Sequence, residues 1–155
     1  MDLDFSKKDF SKIDNVTKND IAIIFESISY FFPYTNLNTK KVLEKLSDPN
    51  FFLIKFVINK KIVGFCELEY FGYSSRLNAI FVLDSFRRRG IAKKMVDFCF
   101  VELKKRNCDN FFLLVKENNL IAKKFYSTLG FKFKKIYKKK IDDSIIEVWE
   151  IPDFI

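Results

Sequence analysis

A chain of 155 residues with 48% hydrophobic content and 20 Phe is long enough to bury a sizeable core and suits a single domain over 1–155. The absence of His excludes Ser-His and Cys-His catalysis and most zinc chemistry, and the three cysteines, Cys66, Cys99 and Cys108, lack the paired spacing of a metal site, so free thiols are expected, the first two in the core. A net charge of +8 raises nucleic acid as a partner; no apolar run approaches the roughly 20 residues of a membrane span and no cleavable leader is evident, so a cytoplasmic protein is expected.

Met1 to Asn15, with Phe5, Phe10 and Ile13, has room for one edge strand. Thr17-Lys18-Asn19-Asp20 places a hydroxyl and a carboxylate at capping positions ahead of Ile21, Ile24, Phe25 and Ile28, so a helix is expected from near Lys18 to Pro33. Thr39 caps a second short helix carrying Val42, Leu43 and Leu46, stopped by Asp48-Pro49. Phe51 to Ile58, a turn at Asn59-Lys60-Lys61, and Ile62 to Phe71 read as an antiparallel hairpin rich in β-branched and aromatic residues. Glu67 and Glu69 share one face of its second strand. They form either an exposed face paired with lysines, or a base or negative site for a cationic amine.

A Gly72-Tyr73-Ser74-Ser75 connection leads to a third strand, Leu77 to Leu83, ended by Asp84-Ser85. The helix beyond it carries Ile91, Ala92, Met95, Val96, Phe98, Cys99 and Leu103 over one broad apolar face. Phe111 to Val115 is a buried strand, followed by a helix from Asn119 to Leu129 that buries Ala122, Phe125, Tyr126 and Leu129, leaves Lys123 and Lys124 in water, and ends at Gly130 as a left-handed C-cap. Phe131 to Ile141 and Ile145 to Ile151, joined at Asp142-Asp143-Ser144, are the last strands, with Lys132 to Lys140 as a solvent face alternating with Phe133, Ile136 and Tyr137. This order predicts an α/β fold with a mixed, mostly antiparallel central sheet flanked by helices.

Between the third strand and its helix lies Arg87-Arg88-Arg89-Gly90-Ile91-Ala92-Lys93. A helix starting there offers N–H groups with no intrahelical partner and the positive end of its dipole. Small residues at 90 and 92 let an anion approach, and the arginines add charge, so a phosphate or pyrophosphate is the favoured ligand. Arg87-x-x-Gly90-x-Ala92 after an apolar strand resembles the acyl-CoA signature of the GCN5-related N-acetyltransferase (GNAT) family, and Asn119-x-x-Ala122-x-x-x-Tyr126 followed by Leu129-Gly130-Phe131 resembles that family's other motif. The resemblance covers residues 61 to 151 and implies the GNAT acyl-CoA N-acyltransferase fold.

It also implies acetyl-CoA as co-substrate, no metal, and transfer of the acetyl group to a primary amine of a protein, peptide or small molecule by direct attack. In that fold the central strand and the Phe111 strand splay apart. The pantetheine arm would lie in the gap against the backbone of Phe81, Val82 and Leu83, with Arg87 and the N–H groups of Arg88, Arg89, Gly90, Ile91, Ala92 and Lys93 at the pyrophosphate. Asn119 would hold the arm and Tyr126 would protonate the departing thiolate, while Tyr30, Phe31, Phe32 and Tyr34 would wall the acceptor site. A protonated amine has no lone pair, so a base is needed. The chain has Leu113-Leu114-Val115 where related enzymes place a Glu, Ile136-Tyr137-Lys138 where they favour adjacent tyrosines, and Asn78 or Arg76 where some carry a carboxylate. Glu69 or Glu67 acting through water remains. A non-catalytic acyl-CoA-binding module and a basic nucleic-acid-binding domain using Arg87–Arg89 and Lys132–Lys140 are the alternatives. A polyanionic cofactor accounts for the first of those clusters and a solvated strand for the second, so neither nucleic acid nor a membrane is the expected partner. The acceptor's identity, and monomer against homodimer, stay open.

Overall fold

The computed structural model of the protein describes residues 11–24, 39–152 and 154. Its strands are β1 (Ser11–Asn15), β2 (Phe51–Ile58), β3 (Lys61–Phe71), β4 (Ser74–Val82), β5 (Asn110–Lys116), β6 (Lys132–Ile136) and β7 (Ile146–Glu150). They form one seven-stranded sheet in the order β1-β2-β3-β4-β5-β7-β6. Every neighbouring pair is antiparallel except β4 with β5. Helices α1 (Thr39–Leu46), α2 (Ile91–Lys105) and α3 (Leu120–Thr128) flank it, and residues 21–24 are also helical. The mixed, mostly antiparallel α/β architecture is the one the order of elements predicts. No helix among the described residues is long and apolar enough to cross a membrane.

The sheet separates two apolar layers. On one face α2 buries Ile91, Met95, Val96, Cys99 and Leu103 against Ile54, Phe56, Leu68, Ile80 and Phe111. Each such side chain contributes about 1.5–3 kcal/mol on leaving water, which makes this helix the main clamp on the central strands. On the other face Val42 of α1 joins Val16, Ile21, Ile24, Leu53 and Phe65. At the head of residues 21–24 the Asp20 carboxylate accepts the Thr17 N–H at 2.7 Å and its hydroxyl at 2.8 Å, and Lys55 on β2 reaches the same oxygen at 2.6 Å. The expected continuation of this helix to Pro33, and the aromatic wall of Tyr30, Phe31, Phe32 and Tyr34, lie outside the described residues.

Several boundaries differ from the sequence expectation. β4 begins at Ser74, because the left-handed Gly72 (φ 72°) closes the turn with Tyr73 alone and lets Ser74 pair with Phe71 at once. β6 stops at Ile136, five residues before the expected end at Ile141; alternation of apolar and polar side chains gives way to Lys138-Lys139-Lys140, and the chain turns back through left-handed Asp142 and Asp143. Lys123 does not face water: it donates to Glu147 on β7 at 3.1 Å and to the Glu117 carbonyl at 2.8 Å, tying α3 to the sheet. Phe125, expected in the buried stripe of that helix, is 37% exposed because its neighbour Tyr126 takes the inward position against Phe131.

Candidate functional site

The parallel strands β4 and β5 part company early. They pair only through Ser74–Asn110, Ser75–Phe111 and Arg76–Phe112. Beyond that point β4 keeps its partner β3 as far as Val82, and β5 keeps β7 as far as Lys116, so the two inner edges face each other across a gap. Polar side chains hold the apex shut: Ser74 Oγ donates to Asn110 Oδ1 at 2.6 Å and Ser75 Oγ to the Asn110 carbonyl at 2.7 Å. Edges left without a strand partner at this depth need other hydrogen bonds, and an extended ligand with amide groups can supply them. In a strand the N–H and C=O of one residue point to the same side and alternate along the chain. The Leu83 N–H goes to the Val63 carbonyl at 2.9 Å, which turns Leu83 towards β3 and Val82 towards the gap.

At the mouth of the gap the chain makes a turn through Asp84–Phe86 and enters α2 by way of two left-handed residues, Arg88 (φ 61°) and Gly90 (φ 78°). Left-handed backbone costs a non-glycine residue about 1–2 kcal/mol, so Arg88 stores strain in the loop. Such turns aim successive N–H groups at one point. Arg87 N–H is bound to the Asp84 carbonyl and Lys94 N–H to the Gly90 carbonyl, whereas the amides of residues 88–93 between them have no backbone acceptor among the described residues. A Cβ built on Gly90 would meet nothing within 4 Å, so the space ahead of these donors is open. Free amides, a helix N-terminus and open room fit the diphosphate of a CoA-type ligand.

The arginines of this loop divide. Arg87 turns back: its Nε donates to the Val82 carbonyl at 2.9 Å, its Nη1 meets Asp84 at 2.7 Å, and its guanidinium lies over the Phe81 ring at 5.9 Å. It thus clamps the end of β4 to the loop and occupies the Val82 carbonyl, leaving the Val82 N–H for the gap. Arg89 lies over Phe86 at 5.5 Å, and Arg88 is exposed beside the open space. On α2, Lys93 pairs with Asp97.

Across the gap, Asn119 caps α3. Its Oδ1 accepts the Ala122 N–H at 3.1 Å, which leaves the amide group of the exposed side chain as a donor. Tyr126 sits half-buried on the same helix, packed on the main core and 6.2 Å from the Phe131 ring. The helix ends as expected at Gly130 (φ 100°), where Phe131 N–H reaches the Tyr126 carbonyl and Gly130 N–H the Ser127 carbonyl, both at 3.1 Å. This fixes the level of Tyr126 relative to the sheet.

On the α1 side of the sheet, Glu67 and Glu69 stand together in a polar network. Glu67 is 5% exposed; Lys45 of α1 donates to both of its oxygens, at 3.0 and 3.2 Å, and Asn78 adds a bond at 2.8 Å. Glu69 accepts from Arg76 at 2.9 Å and from the same Asn78 amide at 2.9 Å. Asn78 reaches both carboxylates because it is an extra residue in β4: Glu67 pairs with Ala79 but Leu68 pairs with Leu77. A bulge re-aims the side chain at such a position. It also explains why Leu77 and Ile80, an odd number of residues apart, both enter the main core. Further along the same face a cleft of about 380 Å³ opens over Phe112 and Val148, walled by Lys134, Lys135, Ile136 and Lys138.

A model described as the acetyltransferase (GNAT) family matches residues 21–131. The chain belongs to that family. With it come the GNAT fold and the class of acetyl-CoA-dependent N-acetyltransferases. No curated protein sequence matches the chain. Among solved structures, the ribosomal-protein-S18-alanine N-acetyltransferase from Escherichia coli is similar at 18% identity and a TM-score of 0.72, over 92% of this chain and 94% of that one. The PaiA N-acetyltransferase from Thermoplasma acidophilum in complex with coenzyme A is similar at 16% identity and a TM-score of 0.74, over 89% and 97%. An aminoglycoside 6'-N-acetyltransferase from Acinetobacter baumannii is similar at 18% identity and a TM-score of 0.73, over 84% and 98%.

Within a GNAT chain the cysteines are poor nucleophiles here. Cys66, Cys99 and Cys108 are free and buried. The hydrogen bond with Cys99, 3.7 Å away, and full burial push the Cys66 thiol well up, and burial raises Cys108. Thiols held protonated, as at Cys66 and Cys108, do not attack a thioester, and Cys99 is buried away from any substrate. The sequence reading missed Lys45, Asn78 as a shared donor, and the lysine-walled cleft. The broken alternation Leu77-Asn78-Ala79-Ile80 was the one local signal, marking the bulge.

Proposed function

We propose that this GNAT protein transfers the acetyl group of acetyl-CoA to a primary amine by direct attack, without an acyl-enzyme. The observation that carries the reading is the gap between β4 and β5 that ends on the free amides of residues 88–93. Acetyl-CoA supplies an activated acyl group with a thiolate leaving group. The chain's part is to hold and orient it. The amides of residues 88–93 bind the diphosphate with the α2 N-terminus behind them, and the Val82 N–H and the Asn119 side-chain amide bind the arm from opposite walls. Tyr126 donates a proton to the leaving sulfur.

The acceptor amine enters from the α1 side, where the network of Glu67, Asn78 and Glu69 meets the apex of the gap. Both carboxylates already accept bonds from cations, Glu67 from Lys45 and Glu69 from Arg76. Glu69, with 20% of its side chain exposed against 7% for Glu67, is the one with access to water, and we assign it the role of relaying the amine proton through that water. The test is release of free CoA from acetyl-CoA over a panel of polyamines, aminoglycosides, amino acids and peptides. Acceptor-dependent release that Glu69→Gln slows is expected; tight acetyl-CoA binding with no release by any amine would leave a binding module instead.

A further inference from the structure

The cleft on the α1 side of the sheet is built for a particular charge. It lies over Phe112 and Val148, and Phe112 is the last residue of β5 that pairs with β4, through Arg76, so the cleft begins where the cofactor gap opens. Its volume of about 380 Å³ suits a small molecule or the end of a peptide. The carboxylate in its wall, Glu150, is committed to Lys134 at 3.0 Å, and on the strands beyond it Glu69 is committed to Arg76 at 2.9 Å and Glu67 to Lys45 at 3.0 Å. Lys135 and Lys138, which also wall it, have no carboxylate partner among the described residues. Lys135 stands opposite Val148 in the sheet, and Lys138 follows Tyr137, whose N–H donates to the Ile146 carbonyl on the neighbouring chain segment.

We propose that the acceptor is an amine carrying a carboxylate or phosphate a few atoms from its amino group, held by Lys135 and Lys138. The assignment rests on the transferase reading above and names the acceptor class of that same site. A polycation entering this cleft meets two uncommitted ammonium groups and carboxylates that already have cations. An anionic group neutralises the lysines while the amine, the only positive end of such an acceptor, points at the gap. Charge-assisted bonds at exposed lysines are individually weak, so two of them give a preference of about tenfold.

The experiment compares kcat/KM by CoA release for peptides with a free amino terminus that differ only at the second and third residues, Asp-Glu, Asn-Gln or Lys-Arg, and for free aspartate against asparagine. It uses the full chain and a Lys135→Glu/Lys138→Glu variant. The expected result is that acidic acceptors lead their neutral counterparts by about tenfold, that the lead shrinks at high salt because exposed charges are screened, and that the variant reverses it with unchanged acetyl-CoA affinity and melting temperature. A lead shown by the peptides assigns a polypeptide acceptor; one shown by aspartate assigns a small molecule. CoA release that favours neutral or basic acceptors, or a preference unmoved in the variant, overturns this inference and leaves the transferase reading standing. No CoA release with any acceptor overturns both.

Discussion

The free amides at the head of α2 can be tested by placing a charge among them. Gly90 has φ 78°, a conformation that Asn and Asp tolerate best among residues with a Cβ, and a Cβ there meets nothing within 4 Å. Gly90→Asn and Gly90→Asp therefore carry equal strain and nearly equal volume, and differ by one negative charge. Beside a diphosphate at about 4 Å that charge costs about 1 kcal/mol in water and about 4 kcal/mol at an effective dielectric of about 20. The Asp variant should bind CoA at least about tenfold more weakly than the Asn variant, about 1.4 kcal/mol, by titration calorimetry at low salt. Stability should move the other way. An Asp at a helix N-terminus gains about 0.3–1 kcal/mol from the dipole, so the apo Asp variant should melt about 1–4 °C above the Asn variant. Weaker binding by a more stable protein is a signature that misfolding does not produce. Equal affinities for the two variants would refute the placement of the diphosphate on these amides.

Tyr126→Phe keeps the ring against Phe131 but removes the donor, so kcat should fall about 10²-fold, the lower end for general acid catalysis because a thiolate leaves readily, while CoA affinity holds; the alkaline limb of the pH–rate profile should vanish, and an unchanged limb would make Tyr126 a packing residue. Asn119 has two roles that separate by substitution: Asn119→Asp retains an oxygen for the Ala122 N–H and should keep stability while raising KM for acetyl-CoA, whereas Asn119→Ala should lose about 1 kcal/mol of stability as well. An Asp variant with normal KM would take Asn119 out of the cofactor site. The Asp20 carboxylate is held below the usual range: partial burial alone would raise it, but the Lys55 ammonium and the Thr17 donors outweigh that. A depressed folded pKa means stability present at neutral pH and lost as pH falls from about 4 through the lowered folded value, so Asp20→Asn should be less stable than the parent at pH 7 and the difference should narrow steadily below about pH 4 in urea titrations.

Local chemistry is legible in this chain wherever the partners are a few residues apart. Phe51–Ile58 forms β2 over the span read from its side chains, α2 starts directly after Gly90, Asn119 caps α3, and Gly130 ends it. Periodicity, caps and left-handed turns act over one turn of helix or one rung of hairpin, so residue types in order carry them, and the GNAT family is recognisable because its cofactor contacts are made by just such turns. Distance along the chain hides the rest. Lys45 meets Glu67 across 22 residues and Ser75 meets Asn110 across 35, and neither pairing has a local signature. Arg87 sits in the motif, yet only the folded strand end offers it the Val82 carbonyl and Asp84. The lysines of β6 read as a solvent face by alternation, and they are exposed; that two of them also wall a cleft beside the point where β4 and β5 part depends on β6 taking the outer edge beyond β7. Sequence by itself determined the order of the elements and the turn that leads into α2, because those are set by backbone propensity and burial pattern. The tertiary structure alone decided which charges are neutralised and which have no partner among the described residues, because electrostatic pairing depends on separation in space.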